Sequence, residues 1–304
     1  MLLAAAALLA SPALPAPVAH QVGPNPRPME FGALPTPGRR RNAASGNEAE
    51  PAPEKHDRLA DCLTVGRSNP GLAISLARHW LDEVKLPSER VRANQCLGMM
   101  LSQQGDFDGA VAAFGDAVGL IPEAQAVGAV PLMAMAGNAA LAAGKPQDAL
   151  TWLDRATVVH GFADNLAMAA IQDDRARALV ALNRNADAMA ALAKSHELAP
   201  QNAEGWLLSA TLYRRDKNLA AAQHDIEEAA RLSPRDPAVG VEAGVIAMLG
   251  NREDAAKQSW QSVVAMSPAS DEARVARGYL EQIGAAPTSS PVPPKPGQDE
   301  EITR

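Results

Sequence analysis

From about Asp57 to Gly284 the apolar residues recur at the three-to-four-residue spacing of a helix face rather than in the alternation of a strand. No long run of β-branched and aromatic residues bounded by turn signals interrupts this pattern. Inside it a shorter motif returns, in GDFDGAVAAFGDAVGLIP, GKPQDALTWLDRATVVHG, NRNADAMAALAKSHELAP, KNLAAAQHDIEEAARLSP and NREDAAKQSWQSVVAMSP. Each segment sets a small residue (Ala110, Ala149, Ala188, Ala222, Ala256) four places before a bulky one (Phe114, Leu153, Leu192, Ile226, Trp260). Three places further on stands Ala117, Ala156, Ser195, Ala229 or, departing from the rule, Val263. A helix stop follows at Pro122, Gly161, Pro200, Pro234 and Pro268. Positions i, i+4 and i+7 share one helix face, so the small residues admit a neighbouring helix and the bulky one fills the gap.

The leading small residues are thirty-nine residues apart from Ala110 to Ala188 in two steps, then thirty-four apart from Ala188 to Ala256 in two more. The chain resembles the tetratricopeptide repeat (TPR) family, whose thirty-four-residue unit is a helix–turn–helix. In AEGWLLSATLYRRDKNLAAAQHDIEEAARLSP, the residues Trp206, Ser209, Ala210, Tyr213, Ala222, Ile226, Ala229 and Pro234 stand at the family's signature positions, with Ser209 replacing the usual Leu. Leu97, Gly98, Leu101, Ala110, Phe114, Ala117 and Pro122 match the same pattern. The resemblance covers about 91 to 268 and implies an all-α fold, an α-solenoid of TPR-like helix-turn-helix repeats. Residues 57–86 read as a degenerate leading helix pair, and 270–283 as a C-terminal capping helix with Ser270 as its N-cap. The two five-residue excesses, near Gln125–Ala129 and Asp164–Met168, are expected to lengthen the first helix of the repeat that follows, with Pro131 at a helix start or kink. Arg175 stands where the family carries Leu, which predicts a first helix shifted in register.

The resemblance implies a protein-binding adaptor or scaffold rather than an enzyme, with a partner peptide or protein held in a concave groove lined by first helices. On the repeat phase above, the groove residues are Arg92, Gln95, Met99, Asn138, Asp173, Arg177, Thr211 and Arg214. Several could hydrogen-bond a peptide backbone or pair with its carboxylates. Some TPR domains grip a terminal carboxylate with Lys and Asn on first helices; only Asn138 matches, so that clamp is not expected. Val241, Val245, Met248 and Leu249 form either an apolar docking patch or, as favoured, the seat of the capping helix.

Composition refines this picture. The chain is 47% hydrophobic but only 3% aromatic, so alanine and aliphatic residues supply the apolar surface and favour helix. A net charge of −7 argues against a nucleic-acid surface; the basic run Arg39–Arg41 reads as part of a solvated linker. The apolar run Leu2–Ala10, with candidate cleavage after Ala13 or Ala19, reads as a signal peptide over 1–19, although no Lys or Arg precedes it. It is too short and proline-broken to span a membrane. Residues 20–56 read as a disordered linker, 57–284 as the repeat domain, and 285–304 as a disordered Pro-rich tail. Export to a bacterial envelope is the expectation, with an intracellular scaffold as the alternative.

No cofactor, metal or catalytic constellation is expected. GNAALAAGKP lacks a phosphate loop's glycine at Ala139 and its Ser or Thr at Pro146. The histidines at 20, 56, 79, 160, 196 and 224 lack metal-ligand spacing. Asp173-Asp174 and Glu227-Glu228 diverge by about 100° along a helix and read as solvated faces. An enzyme with a cryptic site on the array is therefore the least favoured reading. Cys62 and Cys96 are expected to be buried free thiols, a disulfide stapling the leading pair to the array being the alternative in an oxidising compartment.

Overall fold

The computed structural model describes residues 57–285; the segments read as signal peptide, linker and, beyond Ala285, Pro-rich tail lie outside the described residues. Every regular element among the described residues is helical. A leading hairpin pairs α1 (Arg58–Ser68) with α2 (Pro70–Glu83). Five repeats follow: α3 (Pro87–Gln103) with α4 (Phe107–Gly119), α5 (Val130–Ala142) with α6 (Pro146–Thr157), and α7 (Asn165–Ala181) with α8 (Asn185–Leu198). Then come α9 (Ala203–Arg215) with α10 (Leu219–Leu232), and α11 (Pro237–Leu249) with α12 (Glu253–Met266). The helix α13 (Asp271–Ala285) closes the described chain. The helices fall into two compact units, one ending at Gly205 and the other beginning at Trp206.

The packing rule read from the sequence is the packing found. All five leading small residues are fully enclosed, and Phe114, Leu153, Leu192, Ile226 and Trp260 are buried behind them, as are Ser195 and Val263. In three of the five repeats the bulky residue of the second helix lies against a glycine of the first. A Cβ added at Gly98 would lie 2.6 Å from the Phe114 ring, and one at Gly137 would lie 2.6 Å from Leu153 Cγ. At Gly244 the gap to Trp260 Nε1 would be 2.1 Å. The indole N–H of Trp260 donates to the Val241 carbonyl at 3.1 Å.

The turn inside each hairpin is as regular. Gly105, Gly144, Asn183, Lys217 and Asn251 hold the same repeat position, and all five adopt positive φ. The next residue's N–H returns to the carbonyl five places back, at Leu101, Ala140, Leu179, Tyr213 and Ala247. This left-handed closure satisfies carbonyls that the helix end leaves open. Glycine and asparagine enter that conformation readily, whereas lysine carries a Cβ penalty.

Two expectations about the first helices need correction. The excess before α7 does lengthen that helix, to 17 residues. The excess before α5 does not: Glu123–Ala129 is a separate 3-10 segment, and Gln125 leaves helical geometry with φ of −117°. Pro131 sits in the first turn of α5, and its ring opposes an α-helix running in from before it. Nor is α7 shifted in register. Ala93, Leu132 and Ile171 are buried at one repeat position, Met100, Ala139 and Ala178 at another, and Leu101, Ala140 and Leu179 at a third. Arg175 is accommodated by turning toward α6, where its Nε meets Asp154 Oδ1 at 2.5 Å. The stretch Glu123–Ala142 is the one among the described residues long and apolar enough to cross a membrane by length and composition. Its α5 portion supplies Val130, Leu132, Met133 and Ala134 to the core.

The cysteines also differ from expectation. Cys62 and Cys96 are joined in a disulfide, with Cα atoms 6.4 Å apart. It ties α1 to α3, and the Arg58 guanidinium over the buried Trp80 ring, 5.0 Å from its centroid, ties α1 to α2. At the other end Ser270 Oγ accepts the Ala273 N–H at 3.0 Å, as its N-cap role requires. Tyr279 of α13 stacks on Trp260 with ring centroids 4.8 Å apart.

Two stability measurements test this account. Lys217→Gly should stabilise the fold by roughly 0.5–1 kcal/mol in urea unfolding, because the strained turn then carries no Cβ. Reducing the disulfide should cost about 4 kcal/mol in the chain-entropy picture for a loop of this size, and unfolding midpoints that ignore reductant would contradict it.

Candidate functional site

The eight first-helix residues do not form one open polar face. Gln95 and Met99 on α3, Asn138 on α5 and Thr211 on α9 are half-buried, with part of each side chain open to solvent. The three arginines already have partners. Arg92 reaches Asp57, the N-cap of α1. Arg177 is shared between Asp174 on its own helix and Glu204 at the start of α9. Arg214 grips Glu242 of α11 with both arms of its fork, Nε to Oε1 at 2.5 Å and a terminal nitrogen to Oε2 at 3.2 Å. Both side chains of that pair are buried. These arginines were expected to meet ligand carboxylates. Instead, a carboxylate of the protein receives each long side chain: Arg92 reaches back to the start of α1, and Arg177 and Arg214 reach forward to Glu204 and Glu242.

Asp173 requires a second correction. It was placed on the groove face, and with Asp174 it was read as solvated; both are buried, at 1% and 3% exposure. Asp173 lies under the α8–α9 connection, where Asn202 Nδ2 donates to its Oδ2 at 2.6 Å. A Cβ added at Gly205 would lie 3.1 Å from Asp173 Oδ1 and 3.0 Å from Ser195 Oγ, so any larger residue would crowd both. Burial pushes the Asp173 carboxyl up to about 7 against the opposing pull of Ser195, Arg177 and Asn202. Burial likewise raises Asp174, opposed chiefly by Arg177. Arg177 is held more strongly protonated by Asp174 and Glu204 despite its burial. The adjacent carboxylates do diverge around the helix, but their surroundings are protein on both sides.

In the second unit Ser209 Oγ donates to Asp225 Oδ2 at 2.6 Å, and His224 Nδ1 lies 2.9 Å from Asp225 Oδ1. A serine, an aspartate and a histidine are thus linked, but in an order that cannot activate a nucleophile. The aspartate stands between the other two, so the imidazole cannot take the Ser209 proton, and Ser209 is itself buried. His224 is exposed, and the Asp225 carboxylate raises its affinity for a proton. Among the described residues no three of His, Cys, Asp and Glu are grouped to hold a metal ion. Val241 is buried, and Val245 and Met248 pack into the cluster that includes Ala273 and Ala276 of α13. Leu249 remains 41% exposed. That face is therefore largely the seat of the last helix.

Solved structures place this fold. The type IV pilus biogenesis factor PilW aligns with a TM-score of 0.60 at 14% identity, over 72% of this chain and 96% of its own. Pseudomonas aeruginosa pilF aligns with a TM-score of 0.57 at 15% identity, over 73% and 96%. TTC0263, a thermophilic TPR protein of Thermus thermophilus, aligns at 0.52 and 16%, over 64% and 100%. No family model matches the sequence, and no curated protein matches it. The likeness, at such identities, is one of fold: helices in consecutive pairs, stacked as in the TPR α-solenoid.

The buried Arg214–Glu242 pair sets a testable cost. Arg214→Met strands a carboxylate in the interior and should destabilise the protein by about 3–5 kcal/mol. Adding Glu242→Leu should restore most of that loss in denaturant unfolding, since no buried charge then lacks a partner.

Proposed function

We propose that this protein is a non-catalytic adaptor or assembly factor of a bacterial envelope, which holds a partner polypeptide on the face formed by its first helices. The carrying observation is the stack of helical hairpins itself, a TPR-type scaffold found also in a pilus biogenesis factor. Such stacks present helix faces to an extended or helical segment and need no reactive group. On that face Gln95 and Met99 of α3 are partly open to a partner. The internally paired arginines make an acidic peptide terminus a poor match. A fold does not by itself select a partner.

Two observations support export. The apolar run Leu2–Ala10 with small residues after it has the form of a secretory signal. The Cys62–Cys96 disulfide suits an oxidising compartment, where such bonds persist. An intracellular scaffold would keep those thiols reduced.

Export and binding are tested separately. Mass spectrometry of the mature protein should find its amino terminus after Ala13 or Ala19 in the envelope fraction; an intact Met1 in the cytoplasm would end the export reading. For binding, a photo-crosslinker at Gln95 should capture a partner in cells, and Met99→Asp should reduce that capture at least tenfold. Undiminished capture in that variant would remove the first-helix face as the site. Charge reversal at Arg177 or Arg214 is unsuitable, since both residues hold the fold together.

A further inference from the structure

The junction of α7, α8 and the α8–α9 connection carries more negative charge than it can pair. Asp173, Asp174 and Glu204 converge there on a single guanidinium, that of Arg177. Arg175 contributes no charge to this balance, because it turns away to Asp154. From α8 the junction receives Ser195 and His196, both within reach of Gly205. From α5 it receives Asn138, whose side chain hydrogen-bonds Asp174. From the connection it receives Asn202 and Glu204. With all three carboxylates ionised the cluster would hold three negative charges against one positive, and two of the three, Asp173 and Asp174, are sealed from water while Glu204 stays one-third exposed at 33%. An uncompensated charge is costly there, and the usual relief is uptake of a proton.

Asp173 is the member that takes it. Asp174 and Glu204 both contact Arg177 directly. Asp173 stands outside those two ion pairs: Asn202 Nδ2 donates to its Oδ2 at 2.6 Å, and the Ser195 hydroxyl is its other polar neighbour. The Ser195 hydroxyl beside it can serve either protonation state, so the charge count decides. Asn202 in turn anchors the chain that follows, for its Oδ1 accepts the Glu204 N–H at 3.3 Å. Whatever happens to Asp173 is thus passed to the start of α9.

We propose that Asp173 is a proton-operated latch: while it carries a proton it holds residues 199–205 against α7, and when it ionises it loosens them. An ionised Asp173 competes with Asp174 and Glu204 for Arg177 and repels both. The weakest partner to give way is the exposed connection, not the buried helix. The direction in pH follows from the raised affinity of the folded state for this proton. Below about 4, where an unfolded aspartate is also protonated, the latch contributes its full stability. That contribution declines as pH rises and is gone once the folded carboxyl has titrated, near neutrality.

The test is a carboxyl-carbon NMR titration of Asp173 in the full chain, with hydrogen exchange of the amides in 199–205 between pH 5.5 and 8.5. The titration should centre near neutral pH. Exchange protection in that segment, corrected for intrinsic rate, should fall at least fivefold across the range. Asp173→Asn should flatten the dependence, and His196→Gln should leave it in place. An Asp173 carboxyl that titrates below pH 5 would overturn the proposal, and so would a protection change that survives Asp173→Asn or vanishes in His196→Gln. Should Asp173→Asn fold poorly, the titration of the unmodified protein decides alone.

Discussion

The close approach of a large second-helix side chain to a first helix that has almost no side chain at that point governs this architecture. Phe114 over Gly98, Leu153 over Gly137 and Trp260 over Gly244 are the tightest instances. Wherever the first helix offers little, the second can lie near enough to bury alanines completely, as at Ala110, Ala149 and Ala256. A sequence so poor in aromatics can then build a dense interior from small and aliphatic residues, because packing density rather than side-chain size decides how much dispersion energy is gathered. The hairpin turns, the stacking and the closing helices all follow from keeping that distance short.

A second consequence concerns charge. Polar side chains that the first helices bury lose their water and must find partners within the protein, as Asp174 and Glu242 do. Arg177 with Glu204 and Arg214 with Glu242 are two such pairs. Those pairs withdraw the two arginines from a ligand. What stays partly open among the candidates, Gln95, Met99, Asn138 and Thr211, is uncharged.

The second helices were legible in the sequence almost residue by residue. Their requirement is steric, and size can be read from identity: Ala188, Leu192 and Ser195 must be buried at that spacing, and they are. The first helices were less legible because their polar residues can face solvent or a neighbouring repeat with equal local sense. Nothing in the string DDRAR distinguishes a wet Asp173 from one sealed beneath Asn202. A signal did exist in the Arg-to-Glu separations of 27 and 28 residues, about two helical turns short of one repeat, but it needs the phase of both helices to be read. Pro131 marked its helix start correctly, yet the same residue forbade the longer helix expected before it. The disulfide was open for a related reason: spacing put the cysteines in adjacent repeats without fixing their approach.

The five left-handed turns sit inside the hairpins, while the departures from the thirty-four-residue interval fall ahead of α5, as a separate segment, and at the start of α7, as added helix. Length variation therefore stays outside the turns that join the two helices of a pair, falling either in the connection ahead of a hairpin or at the start of its first helix. An array built this way can acquire a spacer, a bend or an extra contact element at a joint without rebuilding any pair. The 3-10 segment ahead of α5 is such an acquisition, a short addition borne by a scaffold whose internal measurements it leaves untouched.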